Sequence, residues 1–173
     1  MRVERSGDFD QIEALVGRAF TDEVYSQGYE EGLVGRLRNE GAFLEDLSIV
    51  AERRGEIIGY VMLVPVTMEE SPETCPSVFL APVAVAPEYQ GRAVGSRLVE
   101  FALGKARELG YGSVFVLGHP AYYPRFGFKP ASVWGITAPF DVPDESFMVL
   151  ELLEGALESL SGKLDLPRAF GGM

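Results

Sequence analysis

The chain is expected to fold as a mixed sheet flanked by helices, an α/β protein in the broad, α+β sense. Three features of the sequence predict this. Strand-like runs alternate with helical periodicity at the start of the chain and again in its middle. Between those two regions lie "LSIVAER" and "IIGYVMLVPVTM", joined across Arg54 and Gly55, which is a hairpin signal because β-branched residues flank a tight turn. A hairpin among helix–strand alternations fits a mixed sheet better than a doubly wound parallel one. The 173 residues suffice for one domain with a sizeable core, so residues 1–173 are read as a single domain.

Taken in order, "MRVERSG" reads as a short strand. Asp8 stands where an N-cap belongs, ahead of a helix carrying Ile12, Leu15, Val16 and Phe20 on one side. The segment "YEEGLVGRLRNEG" opens on acidic residues and ends near Gly41, the charge order a helix dipole favours. The hairpin follows, then "ESPETCPS", a loop rich in turn formers and acids. In the strand "VFLAPVAVA", Pro82 has no N–H to give to a ladder. That implies an edge, a bulge or a place where two strands part. A helix is expected from about Gly95 to Gly110, burying Leu98, Phe101, Ala102 and Leu109. "SVFVL" is a buried type of strand, and "GITAPF", "FMVLELL" and "KLDLPRAF" read as further short strands with turns. No internal repeat, low-complexity tract or linker is found.

Composition narrows the function classes. No apolar run approaches the ~20 residues that a membrane-spanning helix needs. "MRVERSGDFD" lacks the apolar core of a signal peptide, so a soluble cytoplasmic protein that engages no membrane is expected. Cys75 is the only cysteine, which excludes an intramolecular disulfide and a thiolate metal cluster; no metal site is expected. The net charge of −11 argues against non-specific nucleic-acid binding, where clustered Lys and Arg must neutralise phosphates. It suits a cationic partner such as an amine, although an acidic surface also simply keeps a protein soluble.

The stretch "VAVAPEYQGRAVGSRLVEFA" joins a strand to a helix through a glycine-bearing turn. This arrangement points several backbone N–H groups and a positive helix end at one spot, which makes it a general anion site. It lacks the Gly-Lys-Ser/Thr ending of a Walker A loop and the spacing of a dinucleotide-binding G-x-G-x-x-G. By physics alone the glycines could equally serve only to turn the chain.

The same stretch resembles the acetyl-CoA signature Q/R-x-x-G-x-G/A of the GNAT superfamily of N-acetyltransferases. Gln90 takes the first position, Ala93 replaces the first glycine and Gly95 supplies the second. Downstream, "YYPRFGFKPA" resembles the aromatic-Tyr-x-x-x-Gly-Phe segment of that superfamily, and "LGHPAYYPRFGF" matches the LG-x-P-x-YY-x-RFGF pattern of a bacterial group within it. Together the two motifs cover residues 78 to 131. The resemblance implies a mostly antiparallel central sheet with two splayed parallel strands, here "VFLAPVAVA" and "SVFVL". It also implies an enzyme that uses acetyl-CoA as co-substrate to acetylate a primary amine of a small molecule or peptide. A non-catalytic acyl-CoA sensor of the same fold is the alternative. A homodimer is common for such folds, and no stretch identifies an interface.

Site residues follow from the resemblance. The backbone at Val83, Ala84 and Val85 is expected to meet the pantetheine arm. Gln90, Gly91, Arg92, Ala93, Val94, Gly95 and Ser96 are expected at the diphosphate, with Arg92 and Arg97 adding charge or remaining solvated. Tyr123 is the implied general acid for the departing thiolate, since a phenol of pKa ~10 donates without being charged at rest. Tyr122 is its neighbour and rival, and is also placed against the cofactor. His119, the only histidine, is a candidate base, with water as the plainer proton acceptor. Glu69, Glu70 and Glu73 precede the first motif on an expected surface loop. Trp134 and Phe140 could line an acceptor pocket or belong to the core. The superfamily shapes its acceptor site on the segment from Tyr25 to Leu37, where Glu30 and Glu31 would suit an ammonium group. Ala93 in place of glycine is expected to weaken cofactor binding without abolishing it, if its φ must be positive.

Overall fold

The structure is a computed structural model, described here for residues 1–20, 32–69 and 75–171. Three α-helices accompany nine strands in these residues, and the sheet is mixed and mostly antiparallel. The residues pack as two compact units.

The first unit comprises Met1–Val64, Ala81–Lys105 and Pro167–Met173. Strand β1 (Arg2–Val3) pairs antiparallel with β2 (Ser48–Arg53), and β2 pairs antiparallel with β3 (Glu56–Met68) across the expected turn at Arg54 and Gly55. Helix α1 (Phe9–Phe20) buries Ile12, Leu15, Val16 and Ala19. Helix α2 (Leu33–Asn39) buries Leu33, Val34 and Leu37. A bond from Gly35 N–H to Glu13 Oε1 at 2.9 Å ties the two helices together. The Glu4 carboxylate is held by Arg38 Nη2, which donates to Oε1 at 2.6 Å, and by Ser48 Oγ, which itself lies 2.7 Å from the hydroxyl of buried Tyr60. Burial pushes the Tyr60 phenol up.

Strand β4 (Ser77–Val85) and helix α3 (Val94–Glu108) each pass from one unit into the other. In the first unit α3 buries Leu98, Val99 and Ala102, and Ala106 is buried in the second. The expected inner positions Phe101 and Leu109 are instead 39% and 45% exposed. The buried stripe advances by four residues, from Leu98 to Ala102 to Ala106, which leaves Phe101 off to one side, and Leu109 lies past the last helical residue, Glu108.

The second unit comprises Pro65–Leu80 and Ala106–Leu166. Here β4 runs parallel to β5 (Ser113–Leu117), in register from Ser77↔Ser113 to Phe79↔Phe115. The hydroxyls of buried Ser77 and Ser113 bond each other at 2.8 Å, which satisfies both. Strand β8 (Phe147–Glu151) pairs antiparallel with β5 along its length and with the short β6 (Lys129–Pro130). Strand β9 (Gly162–Asp165) pairs with the end of β3 and with β7 (Ile136–Thr137). The mixed sheet thus matches the expected class, with a parallel β4–β5 pair among antiparallel neighbours.

Asp8 occupies the expected cap position, because its carbonyl accepts the first helical bond, from Ile12 N–H at 2.9 Å. Its carboxylate is turned backwards, accepting from Arg5 N–H at 2.7 Å and from Arg2 Nη1 at 2.6 Å. The Arg2 guanidinium holds this carboxyl below the usual carboxylate range. A depressed folded value means the contribution is present above the unfolded pKa of ~3.9 and is lost as pH falls through the folded value. Asp8→Asn is therefore expected to lower stability at pH 7 by about 1–2 kcal/mol. Thermal melts should show the gap to the natural protein closing below about pH 4.

Candidate active site

In the first unit, the chain leaves β4 through a short 3₁₀ turn, Pro87–Tyr89. Three amides here find backbone partners: Ala86 N–H donates to Ile58 O at 3.0 Å, Tyr89 N–H to Ala86 O at 2.8 Å and Gln90 N–H to Pro87 O at 3.3 Å. The Gln90 side chain turns back, and its Nε2 donates to Val85 O at 3.2 Å. The first motif residue therefore braces the end of β4. The bonding then stops: among the described residues, no carbonyl accepts from the N–H groups of Gly91, Arg92, Ala93, Val94 or Gly95. Farther on, Arg97 N–H donates to Ala93 O at 3.1 Å.

Gly91 (φ 70°) and Ala93 (φ 61°) are both left-handed and lie either side of Arg92. Left-handed residues in such a turn gather successive N–H groups into a concave, anion-binding arrangement. The positive end of the 15-residue helix α3 adds to it. Gly91, Arg92 and Ala93 are exposed, while Val94, Gly95 and Ser96 are half-buried. These groups fit a diphosphate, whose oxygens accept hydrogen bonds and carry negative charge.

The first turn of α3 is seated on bare backbone of β3. A Cβ at Gly59 would lie 2.8 Å from Leu98 Cδ1 and 3.0 Å from Val94 Cγ1. Glycine thus leaves room for the Leu98 and Val94 side chains where the helix starts against the strand.

In the second unit, β5 ends at Leu117, and Gly118 N–H donates to Ser146 O at 2.9 Å. The His119 carbonyl accepts from Tyr122 N–H at 2.9 Å, and His119 Nδ1 accepts from Ala121 N–H at 3.2 Å. A neutral imidazole accepting at Nδ1 carries its proton on Nε2, so the exposed His119 ring shapes this turn through the very lone pair a base would use.

A 3₁₀ turn, Tyr123–Phe126, follows. Tyr123 is 9% exposed, with its ring edge-on to Tyr122 at 5.1 Å and to Phe128 at 5.6 Å. Burial pushes its phenol up, with the neighbouring Tyr122 adding to the effect. Tyr123 therefore remains protonated at neutral pH. Among the described residues none bonds to its hydroxyl. Tyr122 is half-buried, with the Arg125 guanidinium 4.5 Å from its ring centre. The bare backbone of Gly118 fixes the Tyr123 ring, because a Cβ there would lie 2.2 Å from Tyr123 Cε2.

Val83 and Val85 are half-buried on β4, and Ala84 between them is buried. Arg92 and Arg97 are exposed; Trp134 and Phe140 are half-buried. Glu69 is exposed beside Lys163. Half-buried Cys75 packs against Gly112, where a Cβ would lie 2.7 Å from its Sγ. Glu30, Glu31, Glu70 and Glu73 lie outside the described residues, as does the segment from Tyr25 through residue 31. Among the described residues, no group of three or more His, Cys, Asp and Glu could hold a metal ion, and no helix is long and apolar enough to cross a membrane. Gly59 and Gly118 were not singled out from the sequence. Nothing local marks them, since their importance comes from side chains that arrive from elsewhere in the chain.

A turn of unpaired amides between a strand and a helix, on a mixed sheet with a parallel pair, is the framework that the resemblance to the GNAT superfamily implies. Residues 45–130 match the family model of the GNAT acetyltransferase domain. The chain is 33% identical over 170 residues to the uncharacterized N-acetyltransferase YhbS of Escherichia coli K12, covering 98% of this chain and 97% of YhbS. It is 35% identical over 137 residues to YjhQ of the same organism, another uncharacterized N-acetyltransferase, covering 79% of this chain and 76% of YjhQ. The crystal structure of Escherichia coli YhbS in complex with CoA superposes with a TM-score of 0.88 at 33% identity, over 98% of this chain and 90% of that one. A Brucella melitensis GNAT acetyltransferase in complex with acetyl-CoA gives 0.80 at 29% identity, over 98% and 96% of the two chains. The chain belongs to the GNAT family of acetyltransferases.

Two outcomes follow from the backbone geometry. The positive φ at Ala93 costs the folded chain about 1 kcal/mol, because its Cβ crowds the carbonyl oxygen. Ala93→Gly should therefore raise the thermal midpoint by about 2–4 °C in calorimetry; an unchanged or lowered midpoint would refute strain at this position. Gly118→Ala should destabilise the protein by about 1–3 kcal/mol in denaturant unfolding, through its clash with the Tyr123 ring. The same substitution in a Tyr123→Ala background should cost much less, since the clashing ring is gone.

Proposed function

We propose that this chain transfers the acetyl group of acetyl-CoA to a primary amine of a small molecule or peptide, by direct attack of the neutral amine on the thioester. The observation that carries this reading is the run of unpaired amides from Gly91 to Gly95 at the start of α3. It offers a diphosphate hydrogen bonds that the chain does not make for itself. The CoA and acetyl-CoA complexes of the two related structures support the choice of cofactor.

In this reading residues 1–173 act as one acetyltransferase domain. Backbone groups of Val83, Ala84 and Val85 meet the pantetheine arm in the manner of an added strand. Gly91, Arg92, Ala93, Val94, Gly95 and Ser96 hold the diphosphate, and Gln90 holds the turn to β4. Tyr122 borders the cofactor. The amine nitrogen forms a bond to the carbonyl carbon as the carbon–sulfur bond breaks. Tyr123 gives its phenolic proton to the departing sulfur, and water takes the proton released by the amine and restores the phenol. Since burial keeps Tyr123 protonated, its ionisation should produce no loss of activity below about pH 10. His119 enters as base only if its bond to Ala121 N–H opens. Ala93 weakens cofactor binding without abolishing it, because its methyl group limits the close approach of backbone to phosphate that glycine allows, and the protein works in the cytoplasm.

A calorimetric titration with acetyl-CoA, with ATP and NAD as controls, tests the reading. Saturable one-site binding of acetyl-CoA alone is expected, and no binding to folded protein would sink it. Tyr123→Phe should then lower kcat on the order of 10²-fold while leaving the acetyl-CoA dissociation constant within about twofold. If the natural protein binds acetyl-CoA but acetylates none of a panel of amines, a sensor of acyl-CoA is the better description.

A further inference from the structure

Beside the unpaired amides lies a second feature, made of side chains where the first is made of backbone. Arg53, at the end of β2, places its guanidinium carbon 5.6 Å from the centre of the Tyr89 ring. Arg92, inside the amide run, places its own 5.8 Å from the same centre. Cation–π contact of this kind orients a long side chain while leaving its N–H donors available.

Neither guanidinium has a carboxylate partner among the described residues. Other cations of this strongly acidic chain do: Arg2 with Asp8 and Glu52, Arg18 with Glu88, Arg38 with Glu4, and Lys163 with Glu69. The nearby acids leave the pair open. Glu56 is the cross-strand register partner of Arg53 but forms no ion pair with it, and Glu88, next to Tyr89, is engaged by Arg18. In a chain of net charge −11, two uncompensated guanidinium groups gathered on one ring make a local anion site.

We infer that Arg53 and Arg92, set on Tyr89, receive the 3′-phosphate of the cofactor's adenosine, and so make the protein select CoA over its 3′-dephospho form. This rests on the proposed use of acetyl-CoA. Coenzyme A presents two kinds of phosphate, a diphosphate and a separate ribose monoester. Backbone amides suit the first, whose charge is spread over a bridged pair. The monoester is a compact dianion with three equivalent oxygens, which a guanidinium fork matches with paired hydrogen bonds. Arg53 lies outside both sequence motifs, and the β2–β3 hairpin brings it to the turn.

The test is calorimetric titration of CoA and of 3′-dephospho-CoA into the natural protein, Arg53→Gln and Arg53→Lys. The natural protein should bind CoA on the order of tenfold more tightly than the dephospho form, with the advantage shrinking as salt is raised. Arg53→Gln should weaken CoA binding alone and remove most of the preference, and Arg53→Lys should restore part of it. Equal affinity of the natural protein for the two compounds overturns this inference alone, as does an Arg53→Gln loss that is the same for both. Binding of neither compound by folded protein overturns the acetyl-CoA reading as well, so the two failures are distinguishable.

Discussion

The backbone from Gly91 to Gly95 must hold a concave shape that its own hydrogen bonds do not enforce. An amide without a partner is tolerable only where water or a ligand can reach it, so this run has to lie at the surface. A surface loop with left-handed residues and no internal bonds would ordinarily wander. The surrounding bonds and contacts prevent that. Ala86 is tied to β3 through Ile58, and Gln90 is tied to Val85 on the incoming side. On the outgoing side, Leu98, Val99 and Ala102 are fully buried. The concavity is therefore rigid because its two ends are, and it can present donors without reorganising when an anion arrives.

The same economy governs the second unit, where Gly118 is to Tyr123 what Gly59 is to α3. In each case a missing Cβ leaves room for a side chain: a Cβ would lie 2.2 Å from the Tyr123 ring at Gly118 and 2.8 Å from Leu98 Cδ1 at Gly59. Packing tightness, with hydrogen bonding playing little part, decides where the phenol sits. Tyr123 is surrounded by rings of Tyr122, Phe126 and Phe128, which dry its environment and raise its pKa. A dry, neutral phenol is the form in which a tyrosine can give up a proton at neutral pH.

Much of this was legible in the sequence, and the remainder was hidden for physical reasons. The hairpin across Arg54 and Gly55 was readable because alternation and turn chemistry are local. The turn at Gln90 to Ser96 and the Tyr122–Tyr123 pair were singled out through a family pattern; by their residues alone they read equally as an ordinary glycine turn and a packed aromatic. The positive φ of Ala93 could be posed as a condition but not decided, because alanine can take either helical hand according to what holds it. The inward side of α3 was misjudged at Phe101, because hydrophobicity proposes a face and the neighbour that covers it chooses, and at Leu109, because the helix ends one residue before it. Gly59 and Gly118 carried no local mark, since the atoms they accommodate come from residues 39 and five positions away. The short β6 gave no sign either, because two residues cannot display a period.

Electrostatics reconciles an acidic chain with a polyanionic cofactor. At physiological salt, charges more than about 8 Å apart at the surface are largely screened. The overall charge of −11 therefore matters less at the turn than the few groups beside it. One of those is unfavourable: Glu88 adjoins Tyr89, and its own backbone amide and Arg18 hold its carboxyl below the ordinary range, so it is charged. The Arg18 guanidinium, 2.8 Å away, compensates that charge. Such an exposed pair adds little to stability. Its consequence is that Glu88 does not claim Arg92, whose guanidinium stays on the Tyr89 ring with Arg53. Glu88, the acid next to Tyr89, is thus kept from the guanidinium groups gathered on that ring.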